Sequence, residues 1–117
     1  MLMTNEARQA AAIIQRYQDE MISVIVRHGD IRNDQSFSAA PGDRRSLCAF
    51  RNGDVMATVT AVNPKPYAEV LRTEWIKAGC RIGDEFERRQ EMDPDLKGTD
   101  MATVIEFDLN SLRYEPR

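Results

Sequence analysis

The sequence predicts an α+β fold in which an antiparallel sheet of about four strands carries two helices on one face, in the order α-β-β-α-β-β. Three observations predict it. Apolar residues recur at three- and four-residue steps between Thr4 and His28, the pair Asn52-Gly53 sits between two strand-like runs, and Met101 to Leu109 alternates with period two. A chain of 117 residues and 13.4 kDa with 42% apolar and 30% charged residues supports one core, so residues 1–117 are read as a single domain.

The first element is an amphipathic helix from Thr4 to His28. Ala7, Ala10, Ala11, Ile14, Tyr17, Met21, Val24, Ile25 and His28 fall on one half of its wheel, and Arg8, Gln9, Arg16, Asp19, Ser23 and Arg27 on the other. Thr4 or Asn5 suits its N-cap, Glu6 its positive end, and Gly29 its close. Residues 30–45, rich in Asp, Asn, Ser, Gly and Pro around Phe37, read as a long loop.

A hairpin follows, Ser46–Arg51 and Asp54–Val62, with Asn52-Gly53 as a two-residue type I′ turn. That turn would set Phe50 opposite Val55 and Cys48 opposite Ala57. Asn63-Pro64-Lys65-Pro66 is expected to end the strand, and Pro66 to open a helix that runs through Ala78 and stops at Gly79. Tyr67, Val70, Leu71, Trp75 and Ala78 form its buried stripe, and Glu74 intrudes upon it, where a carboxylate needs water or a donor. Cys80–Met92 fits two patterns: Ile82 and Phe86 are four apart as in a helix, while Phe86–Met92 suits pairing with Met101–Leu109, and the strand is the preferred reading. Within Met101–Leu109, the residues Met101, Thr103, Ile105, Phe107 and Leu109 face the core, and Glu106 and Asp108 lie on a wet acidic side. Residues 110–117 read as a C-terminal tail, with Leu112 and Tyr114 folded back onto the core.

The formal charge of −3 argues against a general nucleic-acid binder, which displaces counterions with excess positive charge. RNA recognition through Arg44, Arg45, Arg51, Arg88 and Arg89 would require these to form one patch. No apolar run approaches the ~18 residues of a membrane span, and Met1–Arg8 holds Glu6 with no basic cluster before an apolar stretch, so the cytoplasm is the expected location. Cys48 and Cys80 have no CxxC spacing and cannot complete a zinc site with the single histidine. Asp93–Asp100 resembles a calcium loop but fails at Lys97 and at Val104, where a bidentate Glu is needed. No metal and no cofactor are expected, and no GxGxxG, Walker or HExxH motif is present.

Two functional readings follow. In the first, the chain is a small non-enzymatic regulatory protein that binds another protein through a basic surface on that partner, itself forms a homodimer, and suits the role of an inhibitor or accessory factor of a mobile element. Its basis is charge segregation. Asp84–Asp108 holds nine acids and three bases, net −6, against ten acids and thirteen bases, net +3, elsewhere. Glu87, Glu91, Glu106 and Asp108 are the partner-binding candidates.

In the second reading, a pocket for a small anionic ligand, or a minor active site, is formed by Arg44, Arg45, Glu74, His28 and Cys80. The two arginines offer forked donors. His28, beside Asp30, has the makings of a general base, and Cys80, beside Arg81, those of an activated thiol. The plainer roles for the last two are a helix C-terminal histidine and a core-filling thiol.

Overall fold

The computed structural model describes residues 4–31, 39–80 and 85–117. Helix α1 (Asn5–Asp19) opens the chain, with the Thr4 hydroxyl accepting from the Ala7 amide at 3.1 Å. Strand β1 (Val24–His28) follows, then β2 (Arg44–Ala49), β3 (Gly53–Pro66), a 3-10 turn over Tyr67–Glu69, α2 (Arg72–Lys77), α3 (Glu85–Met92), β4 (Met101–Phe107), a 3-10 turn over Leu109–Ser111 and β5 (Arg113–Pro116). The fold is α+β with a curled antiparallel sheet ordered β1-β4-β3-β2, and β5 also pairs with β3.

The single long helix expected from Thr4 to His28 is instead a helix and a strand. The chain turns at Glu20-Met21, where Met21 takes φ 55°, and Ile22, Val24 and Val26 are then buried alternately. A nearly continuous run of apolar, mostly β-branched residues satisfies period 3.6 and period 2 alike. What decides between them is β4, whose outer edge needs a neighbour: Val24 pairs with Glu106, Val26 with Val104 and His28 with Ala102. Gly29, at φ +86°, turns the chain out of the strand, not out of a helix.

The hairpin forms, but in another register. Cys48 lies opposite Val55 and Arg45 opposite Ala57, with Leu47 as a bulge residue between Ser46 and Cys48. Neither Asn52 nor Gly53 has positive φ, so the turn is not type I′; Phe50 N–H donates to Gly53 O at 2.8 Å. Tertiary contacts hold this loop. The Glu6 carboxylate accepts from Asn52 N–H at 3.1 Å, and a Cβ on Gly53 would stand 2.7 Å from the Tyr114 ring.

Strand β3 runs through Asn63-Pro64-Lys65-Pro66 instead of ending there. Its first half pairs with β2 and β5, and from Val59 onward its strand partner is β4 alone, among the described residues. Proline is tolerated on such an edge because its missing N–H is not demanded by a second neighbour. Pro66 therefore closes the strand and precedes a short 3-10 turn, and α2 is limited to Arg72–Lys77. Gly79, at φ +83°, stops it as expected.

The predicted strand in Cys80–Met92 is contradicted: Glu85–Met92 is helix α3, and residues 81–84 lie outside the described residues. The 30–45 loop gives up Arg44 and Arg45 to β2, and residues 32–38, with Phe37, lie outside the description. The 110–117 tail is in part β5, with Leu112 buried and Tyr114 half-buried in the core.

Because β4 is central, it is covered on both faces. Ala102 and Val104 join Val24 and Val26 beneath Tyr67, Val70, Trp75, Phe86 and Leu96, so the expected wet side of β4 is dry along most of its length. Phe107 and the half-buried Ile25 lie on the other face and pack towards α1 through Ala10, Ile14 and Tyr17, while Ile105 meets Ile31, Ala39 and Val59. The helices thus divide between two faces of the sheet and do not share one.

The C-terminal strand is pinned by polar contacts. Arg117 grips Asp54 with Nε and Nη2 at 3.0 and 2.8 Å, Tyr114 Oη donates to Glu6 at 2.8 Å, and Arg44 meets Glu115 at 2.6 Å. The Arg117 hydrogen bonds hold the Asp54 carboxyl below its ordinary range. A depressed folded-state pKa contributes stability that is present above the unfolded value and disappears as pH falls through the folded one. Loosening of β5 is accordingly expected only below the ordinary aspartate range. NMR amide exchange at Arg113–Glu115 checks this, and loosening already at pH 5 would contradict it.

Candidate functional site

The outer edge of β1 organises the most elaborate polar arrangement in the molecule. Among the described residues, strand β1 has a ladder partner on one side only. Phe107 N–H donates to Ser23 O, and Gly29 N–H to Met101 O, so the odd residues 23 to 29 face β4. By alternation, the N–H and C=O groups of Val24, Val26 and His28 point away from the sheet.

Arg89 reaches this edge from α3. Its Nη2 donates to Val26 O at 3.0 Å, its Nη1 to Tyr67 Oη at 3.2 Å, and its Nε to Glu85 at 3.1 Å. The guanidinium also lies 5.8 Å from the Tyr67 ring centre and 5.3 Å from that of Trp75. Helical spacing makes this possible, since Glu85 and Arg89 are one turn apart on one side of α3. Tyr67 Oη in turn lies 3.1 Å from His28 Nδ1, and the two rings stack at 5.8 Å.

Arg89 separates two hollows. On one side is a cleft of about 300 Å³, lined by Arg16 and Tyr17 of α1, by Val24 and Val26, and by the Trp75–Cys80 segment with Glu85. On the other is an open groove of about 240 Å³ lined by His28, Tyr67, Met92, Asp93 and Leu96. Cys80 borders the cleft, and burial, followed by the nearby Glu85 carboxylate, pushes its thiol pKa up. That is opposite to the activation expected from Arg81, which lies outside the described residues.

The other candidates lie elsewhere. Arg44 donates to Thr58, to Ser111 O and to Glu115, and Arg45 meets Asp43 at 3.5 Å on β2. Glu74 is buried and accepts from Lys65 Nζ and from Leu71 N–H, both at 2.8 Å, so it caps α2 and neutralises a lysine of β3. Arg44 and Glu74 line neither hollow, while His28 and Cys80 border different ones. Of the acidic candidates, Glu87 and Glu91 are exposed on α3, Glu106 is half-buried between Val24 and Ala61, and Asp108 caps the Leu109–Ser111 turn through Asn110 N–H at 2.9 Å. The arginines also divide, with Arg44 and Arg45 on β2 and Arg88 and Arg89 on α3.

Of the residues of this arrangement, Tyr67 and Trp75 are expected from the sequence only as a buried stripe, Arg89 only as part of a patch for RNA, and Glu85 not as a site residue at all. The Glu85/Arg89 spacing was the available signal, and it is meaningful only on a helix. Among the described residues no three His, Cys, Asp or Glu side chains are grouped to hold a metal ion, and no helix is long and apolar enough to cross a membrane. Compared with known protein families, curated proteins and solved structures, the chain matches none.

Proposed function

We propose that this chain is a small non-enzymatic binding protein that captures another protein presenting an apolar anchor within a basic surface. The observation that carries this reading is on α3 and just beyond it. Met92 is 90% exposed beside the open groove of His28, Tyr67 and Leu96, and exposed Glu87, Glu91, Asp93 and Asp95 surround it in sequence. A purely solubilising face has no use for a fully exposed methionine beside an apolar hollow; a docking face has. The carboxylates would speed encounter with a cationic partner, and the groove would supply the desolvated contact that lengthens its stay.

Against the small-anion reading stand the internal bonds of Arg44 to Glu115 and of Glu74 to Lys65. The thiol of Cys80, with its pKa raised, also offers little nucleophile at neutral pH.

The test is affinity capture with the wild-type chain and two variants. Glu87→Lys/Glu91→Lys and Met92→Asp alter exposed side chains, so the fold should persist, as circular dichroism would show. Each is expected to weaken a captured partner at least tenfold, and raising the salt concentration should weaken wild-type capture. Capture indifferent to both variants and to salt would overturn the proposal.

A further inference from the structure

We infer that Met92 is a redox-sensitive anchor: a hydroperoxide converts its thioether to the sulfoxide, and the protein then releases its partner. The inference rests on the protein-binding reading and adds a means of regulating the same face.

Such a residue has to meet two requirements. The first is that an oxidant reaches its sulfur while the protein is folded. Met92 is 90% exposed, against 68% for Met21 and 37% for Met101, and Met56 is half-buried on β3. The second is that oxidation spares the fold. Met92 is the last residue of α3, and among the described residues the core clusters do not include it. A polar oxygen added to its sulfur therefore meets water and leaves the core intact.

Binding would not be spared. Met92 lines the open groove with His28, Tyr67 and Leu96, the last two almost wholly buried beneath it. A thioether is apolar and adaptable, and it can fit itself to an apolar side chain brought to the groove. A sulfoxide is a strong hydrogen-bond acceptor that must shed water before it enters the same contact. One added oxygen thus turns the most exposed part of the docking face from apolar to polar.

The chemistry balances with a hydroperoxide as the only co-reactant. The sulfur lone pair attacks the terminal oxygen of the peroxide, an S–O bond forms and the O–O bond breaks. The other oxygen takes the proton of the first and leaves as water or an alcohol. Sulfur loses two electrons and the peroxide gains them. Methionine sulfoxide reductases catalyse the return, in which two thiols become a disulfide and the oxygen leaves as water. The protein's own Cys80 competes weakly for peroxide, because burial and then the Glu85 carboxylate raise its pKa and deplete the reactive thiolate.

The experiment treats the full wild-type chain with limiting hydrogen peroxide and locates the added oxygen by peptide mass spectrometry. Met92 is expected to gain oxygen several-fold faster than Met21, with the circular dichroism unchanged. The partner captured by the untreated chain should bind the oxidised chain about tenfold more weakly, and a methionine sulfoxide reductase supplied with a thiol should restore binding. Met92→Leu has no sulfur at this position, so peroxide should leave its capture at that variant's own untreated level.

Oxidation of Met21 ahead of Met92 would overturn the inference. So would undiminished capture by a chain oxidised at Met92, a loss that the reductase does not reverse, or a loss that persists in Met92→Leu. In all of these the protein-binding reading stands, provided that Met92→Asp weakens capture. If no partner is captured, or Met92→Asp leaves capture unchanged, that reading falls and the inference falls with it.

Discussion

Thr103→Val is expected to destabilise the protein by about 2–4 kcal/mol, although it changes neither the volume nor the branching of the side chain. Thr103 is fully buried in the central strand. Its hydroxyl donates to Gly29 O at 2.6 Å and accepts from Ile31 N–H at 3.1 Å. Valine would take the hydroxyl partner from the buried Ile31 amide and from the half-buried Gly29 carbonyl, and an unsatisfied buried group costs about 1–3 kcal/mol. These two bonds also anchor the chain as it leaves β1 and place Ile31 in the core with Ile105 and Val59. Urea unfolding would give the stability change, and faster exchange of the Ile31 amide would locate it. A loss below about 0.5 kcal/mol would mean that water replaces the hydroxyl and that the anchor is not structural.

Lys65→Met is expected to cost about 2–3 kcal/mol, somewhat less than breaking a fully buried ion pair, because both side chains retain some exposure. The ammonium lies 2.8 Å from Glu74 Oε1 and bridges the edge of β3 to the first turn of α2. Without it the buried carboxylate keeps, among the described residues, only the Leu71 N–H. The double variant Lys65→Met/Glu74→Met should recover part of the loss, because it removes the stranded charge as well, and the difference in a double-mutant cycle measures the pairing. If Lys65→Met were neutral, Glu74 would not depend on this lysine, and its carboxylate would return as a candidate for binding a ligand.

Both expectations concern contacts between residues far apart in sequence, and such contacts separate what could be read in advance from what could not. The helix start at Thr4, its apolar stripe through Tyr17, the stop at Gly79 and the return of Leu112 and Tyr114 to the core are local matters of capping, periodicity and backbone freedom. β1 was hidden because Ile22–Val26 is apolar enough to satisfy two periods. α3 was hidden for the opposite reason: in Glu85–Met92 only Phe86 and Met92 are apolar, and Met92 is left in solvent, so there is almost no stripe to recognise. β5 is four residues long, and only the vacant edge of Gly53–Met56 makes it a strand.

The same division holds for the candidate site. Glu74 stands out in the sequence as a carboxylate within an expected apolar stripe and is buried in the fold, while its partner Lys65 belongs to a proline-flanked segment expected to be turn. Arg44 looked available in a polar loop, and the strand pairing that brings Glu115 to 2.6 Å from it could not be read from residues 71 positions apart. Arg89 carries the link between Val26, Tyr67 and Glu85, and nothing local distinguishes it from its neighbour Arg88.

By itself, then, the sequence determined the class of the fold, the segregation of acidic residues towards Asp84–Asp108, the signal that begins α1 and the glycine that ends α2. Those properties depend on interactions within a few residues or on composition. The tertiary structure alone decided that Val24–His28 is a strand, that β4 is covered on both faces, and that α3 turns Arg89 inwards to the β1 edge while leaving Glu87 and Glu91 in solvent. The physical reason is that a strand's state and a charge's partner are set by whichever groups arrive beside it, and these come from distant parts of the chain.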